Sequence, residues 1–112
     1  MSIPDFALTA LCLKARQILI GAAFEEEPKR AARMKRAKAV KWKKRSFIVM
    51  KNGAWSVFGI TESGRQTIIY FDRVHCNCPD TLTSGRFGQR PVCKHKISMA
   101  NAILNYSQNK EQ

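Results

Sequence analysis

Residues 75 to 96 read H-C-N-C-P-D-T-L-T-S-G-R-F-G-Q-R-P-V-C-K-H-K, and this stretch constrains the fold more than any other. It holds three of the four cysteines and both histidines of the chain. Cys76 and Cys78 stand one residue apart, as do Cys93 and His95, and residues 79 to 92 separate the pairs. Three thiolates and one imidazole make a full tetrahedral donor set for a single Zn²⁺, with no position left for water or substrate. The expected cofactor is therefore one structural zinc ion on Cys76, Cys78, Cys93 and His95. The one-residue gaps differ from the two-residue gap of common fingers. They work if each pair sits at a turn or strand end, where alternate side chains reach one side. Two readings compete. One is a disulfide, Cys76–Cys93 or Cys78–Cys93, which an intracellular chain disfavours. The other puts His75 in place of His95.

The order Cys-x-Cys, a variable loop, then Cys-x-His running into a helix resembles the SWIM zinc-finger family. Cys78-Pro79-Asp80 and Cys93-Lys94-His95-Lys96-Ile97 match its usual wording around the ligands. So does an aromatic-rich strand pair ahead of the first cysteine, here Trp55-Ser56-Val57-Phe58 and Ile68-Ile69-Tyr70-Phe71. The resemblance covers about residues 30 to 104. Members of that family occur in remodelling-type helicases, Mutator-like transposases and recombination factors. The resemblance implies binding to nucleic acid or protein rather than catalysis.

A chain of 112 residues makes one small domain. Structural zinc, on the order of 10 kcal/mol in small modules, would compensate for a small core. The segments expected are an apolar N-terminal helix in 1–28, a basic helix plus the zinc-binding domain in 29–106, and a disordered tail in 107–112. The fold class expected is α+β: N-terminal helices, a three-stranded antiparallel sheet, and the zinc knuckle leading into a C-terminal helix.

Residues 2 to 24 have apolar groups at helical spacing: Leu8, Leu11, Cys12, Ala15, Ile18, Leu19 and Ala22. Ser2 or Asp5 suits the cap, and Pro4 the first turn. Lys14 and Arg16 in the middle argue against a membrane span. Asp5 stands where a secretory signal carries positive charge. The apolar face serves the core or, over residues 6–24, a protein partner. Cys12 reads as a small buried apolar residue. Glu25-Glu26-Glu27-Pro28 reads as a helix-start device.

Residues 29 to 45 read K-R-A-A-R-M-K-R-A-K-A-V-K-W-K-K-R, without an acid. Lysine and alanine favour helix, yet like charges at i,i+4 repel, which a neighbouring polyanion would relieve. The net charge of +12 points to the same class of partner. The candidate nucleic-acid contacts are Arg30, Arg33, Lys35, Arg36, Lys38, Lys41, Lys43, Lys44 and Arg45, with Arg86 and Arg90 in the zinc loop. A solvated basic face is the plainer alternative. Trp42 is expected to anchor the helix on the sheet.

Phe47–Met50, Trp55–Ile60 and Gln66–Phe71 read as a meander, with a two-residue turn at Asn52-Gly53 and another turn at Glu62-Ser63-Gly64. Trp55, Val57 and Gly59 share one face. Ser56, Phe58 and Ile60 share the other. One face is expected to meet the C-terminal helix, and the other the N-terminal helices. The last helix is expected from Cys93 to Tyr106, buried through Ile97, Ala100, Ile103 and Leu104.

No Gly-rich phosphate loop with a following lysine is present, nor a paired-carboxylate constellation; Asp80 suits a turn. The expectation is a non-enzymatic accessory protein binding nucleic acid, DNA rather than RNA, without membrane association. Its expected location is the cytoplasm or nucleoid, or the nucleus in a eukaryotic host. The alternative is a protein adaptor or inhibitor, such as a recombinase partner or a phage or mobile-element effector.

Overall fold

The computed structural model describes residues 3–23, 27–78 and 92–111, with side chains through Asn109. The zinc loop from Pro79 to Pro91, with Asp80, Arg86, Phe87 and Arg90, lies outside the described residues, as do Ser2, Glu25 and Glu26. The architecture is α+β. Helix α1 spans Asp5–Ala23 and α2 spans Lys29–Lys38. Strands β1 (Trp42–Val49), β2 (Trp55–Thr61), β3 (Gln66–Tyr70) and β4 (Val74–Cys76) follow, and α3 spans Lys94–Glu111. The strands form one antiparallel sheet in the order β1-β2-β3-β4.

Helix α1 starts where Ala7 and Leu8 donate backbone hydrogen bonds to the Pro4 carbonyl. Its buried side is Ala7, Leu8, Leu11, Cys12, Ala15, Ile18 and Ala22, the stripe that the helical spacing predicts except that Ala7 joins it and Leu19 is only half-buried. By length and composition alone α1 could cross a bilayer. Here all of these buried residues but Ala22 join Val57 and Ile69 of the sheet and Met99, Ala100 and Ile103 of α3 in one core. Burial of an aliphatic side chain is worth about 1.5–3 kcal/mol, so this cluster supplies most of the driving force.

Both long helices lie on the same side of the sheet, which corrects the expectation of one helical layer on each face. Val57 and Ile69 are register partners and both enter the core with α1 and α3. Helices α1 and α3 also pack against each other. Each buries its stripe against its neighbour and the sheet together. Phe58, Ile60, Ile68 and Tyr70 belong to no core cluster among the described residues.

The basic run does not continue as one helix, which is a second correction. Helix α2 stops at Lys38, and Trp42 to Arg45 enter β1, pairing with β2 from Thr61 to Gly59 across an irregularity between Trp42 and Lys44. Lysine's preference for helix amounts to a few tenths of a kcal/mol, and the cross-strand ladder outweighs it. Helix α2 rests on its neighbours through Met34 and Ala37, which meet Leu19, Ala22 and Ile97.

A fourth strand adds to the three expected, because Val74–Cys76 pairs with Thr67–Ile69. Between the hydrogen-bonded Met50 and Ala54 the β1–β2 turn holds three residues rather than two. Met50 N–H donates to Ala54 O, and Gly53, at φ 83°, donates to Met50 O. The positive φ is why glycine stands there. Helix α3 passes Tyr106 and runs to Glu111, five residues into the segment expected to be a disordered tail.

Candidate metal centre

The β4 strand makes the first half of the site. Successive side chains on a strand point to opposite faces, so residues two apart share one. Cys76 pairs with Thr67 on the helix-facing side, and His75, the register partner of Ile68, points the other way. Asn77 then ties the chain end down. Its N–H donates to Gln66 O at 3.2 Å, and its Oδ1 accepts from Gln66 N–H at 2.9 Å. Cys78 thus returns to the side of Cys76, which explains the one-residue gap. The second half is the start of α3. Cys93 immediately precedes the helix and its carbonyl accepts from Ile97 N–H at 3.2 Å. His95 lies in the first turn.

The four side chains converge. Cys76, Cys78, Cys93 and His95 are all buried, and their ligand atoms lie within 4.8 Å of one another. Cys76 Sγ is 3.6 Å from His95 Nδ1. A tetrahedral ion with metal–sulfur bonds near 2.3 Å and a metal–nitrogen bond near 2.0 Å sets those atoms about 3.5 Å apart. The donor set therefore fits one tetrahedral ion, with Nδ1 as the imidazole donor. His75 is exposed and on the opposite face, so it is not the fourth member. The four cysteines, Cys12 included, are not in disulfides.

Electrostatics agree with that fit. The neighbouring Cys93 side chain, then burial, push the Cys76 thiol well above the ordinary cysteine range. Thr67 works in the opposite direction, its hydroxyl donating to Cys76 Sγ at 3.4 Å. Crowded, buried sulfurs keep their protons unless a cation replaces them. Thr67 is a supporting residue that the ligand spacing does not reveal; only its register opposite Cys76 identifies it. Trp42 is a second. Its ring meets His95 edge-on with centroids 6.4 Å apart, and its Nε1–H donates to Ser98 Oγ at 2.9 Å. Trp42 is thus an anchor between β1 and the first turns of α3.

The basic candidates divide between two elements. Arg30, Lys35, Arg36 and Lys38 are exposed on α2, and Arg33 is half-buried there. Arg30 bonds Glu27 at 2.8 Å, so it is partly engaged within the chain. Lys41, Lys43, Lys44 and Arg45 are exposed in and just before β1. Lys38, Lys43, Lys44 and Arg45 come together along one groove of about 880 Å³ between α2, β1 and α3. Comparison with family models, with curated proteins and with solved structures returns no match.

Proposed function

We propose that this protein is a non-enzymatic, zinc-stabilised nucleic-acid-binding accessory factor. One zinc ion on Cys76, Cys78, Cys93 and His95 clamps β4 to the start of α3. The four-protein-ligand set favours a structural ion over a catalytic one. The ligand order and the helix after Cys-x-His agree with the SWIM resemblance. The observation that carries the nucleic-acid reading is the groove just described: four cations converge on it, and no carboxylate stands among its described lining residues. Among the described residues, none of those four cations is bonded to another side chain. Uncommitted cations around a concavity attract a polyanion, and releasing its counterions drives binding. DNA is the favoured partner over RNA, in the cytoplasm or nucleoid. A filter-binding titration over a salt series tests this. With about five phosphate contacts on duplex DNA, log affinity falls against log salt with a slope of roughly −4 to −5. Flat or absent binding of both single-stranded and duplex DNA at low salt removes the reading.

A protein partner is favoured by a different observation. Phe6, Leu13 and Ile20 are 76%, 54% and 59% exposed, and they stand seven residues apart on α1. Seven residues are nearly two turns, so the three form one apolar line on the side of α1 away from the core. That line suits a helix of an adaptor target, including a recombinase or another nucleic-acid machine. A nuclease-resistant pull-down that Leu13→Lys abolishes is the result this reading expects. Capture unaffected by Leu13→Lys rejects it.

A further inference from the structure

The groove between β1 and α3 has three kinds of chemistry along its length. At the α2 end are the cations Lys38, Lys43 and Lys44, with Arg45 where the two stretches meet. In the middle and beyond, Asn101, Asn105 and Asn109 stand at successive i,i+4 positions of α3. Residues four apart lie on one helix face, so the three amides make a single row about 12 Å long. At the far end Phe47 and Tyr106 meet edge to face, with ring centroids 4.9 Å apart, and Tyr106 stays 39% exposed. The second stretch, about 510 Å³, shares Arg45, Ala102 and Asn105 with the first. The two therefore adjoin through those three residues and together make one channel-like surface, without a carboxylate among its described lining residues.

We propose that this channel holds a single strand of nucleic acid, with phosphates on Lys43 and Arg45, base edges on the asparagine row and one base stacked on Tyr106. The proposal rests on the nucleic-acid reading above and narrows it to single strands. Several features favour one strand over two. The surface is concave, and a duplex is read by a convex element entering its groove. A row of about 12 Å matches the rise of three to four stacked nucleotides. Amide side chains offer both donors and acceptors, which suits exposed base edges that a duplex keeps paired. An exposed aromatic beside a cationic track is the usual platform for unpaired bases. A protein or lipid ligand would leave the amide row without this match.

The test uses the full zinc-loaded chain. A labelled single-stranded oligonucleotide is titrated, then the same sequence annealed to its complement. The single strand is expected to bind at least about tenfold more tightly. Tyr106→Ala is expected to weaken single-strand binding about tenfold, as loss of one stacked base does, while Tyr106→Phe retains it. Asn105→Asp places a carboxylate in the channel at an exposed position and is expected to weaken it comparably. Melting curves equal to the parent's show that these variants are folded, and Asn105→Asp carries the test if Tyr106→Ala is not. Duplex bound as tightly as single strand, with both variants neutral, overturns the channel proposal and leaves the nucleic-acid reading standing. No binding of either form at low salt overturns both.

Discussion

Thr67 Oγ1 donates a hydrogen bond to Cys76 Sγ across the β3–β4 ladder, at 3.4 Å and fully buried. A hydroxyl directed at a sulfur favours its thiolate, the form that a metal needs. The pair also fixes where Cys76 points before any ion arrives. Thr67→Val keeps the shape and removes the donor. It is expected to weaken zinc affinity by about tenfold or more, the usual scale for such supporting contacts. Competition with a calibrated chelator measures it; unchanged affinity means the hydrogen bond has no role in loading.

Trp42 connects the centre to the basic strand. Its ring lies beside His95 and its indole N–H is held by Ser98. Zinc loading is expected to change the tryptophan emission. The chain has two tryptophans, so Trp42→Phe should abolish the change and Trp55→Phe should leave it. A signal that survives Trp42→Phe contradicts this placement.

The ionisation of the sulfurs makes stability depend on pH in opposite ways with and without metal. In the metal-free protein the Cys76 thiol is held protonated above its ordinary range. Free thiols in the unfolded chain ionise near pH 8.5. Above that pH the unfolded state binds fewer protons than the native state, so metal-free stability falls as pH rises. A zinc-loaded protein is expected to behave differently, because its thiols would already be ionised, and acid would displace the ion and weaken loading. Chelator-treated samples are expected to melt lower at alkaline than at neutral pH, and zinc-loaded samples to lose stability toward acid pH instead. Parallel profiles for the two forms would rule out sulfur ligation.

Gly59 leaves room for the Trp42 ring. A Cβ at that position would lie 2.8 Å from Trp42 Cζ3 and closer still to Met99 Cε. Met99 can shift, but the indole is held by Ser98. Gly59→Ala is expected to destabilise the fold by about 1–3 kcal/mol, the usual cost of overpacking. Urea denaturation of the zinc-loaded variant reads the difference directly.

The cluster of Cys76, Cys78, Cys93 and His95 was legible because cysteine and histidine are scarce in this chain and fall in one window. The buried stripe of α1 and the first hairpin were legible from apolar spacing and from Asn52-Gly53. The end of α2 at Lys38 was not. Lys43, Lys44 and Arg45 carry no strand signal of their own, and the segment becomes strand only because Lys44 and Arg45 pair with Ile60 and Gly59, far along the chain. Strand β4 was not legible for a related reason. It is three residues long, and its Cys76 and His75 are read first as ligands. The shared helical layer follows from α1 meeting α3, a contact that neither segment displays alone. The asparagine row was visible as spacing, but its channel exists only once β1 runs alongside α3.

Metal content and folding of the Cys78→Ser variant test the central claim most directly. Structural zinc supplies on the order of 10 kcal/mol, comparable to the whole net stability of a small domain, about 5–15 kcal/mol. The parent is expected to carry one zinc ion per chain by elemental analysis and to melt cooperatively, and the variant to lose both the ion and the cooperative transition. A parent purified without metal that melts cooperatively, or a Cys78→Ser variant that melts like its parent, contradicts the account.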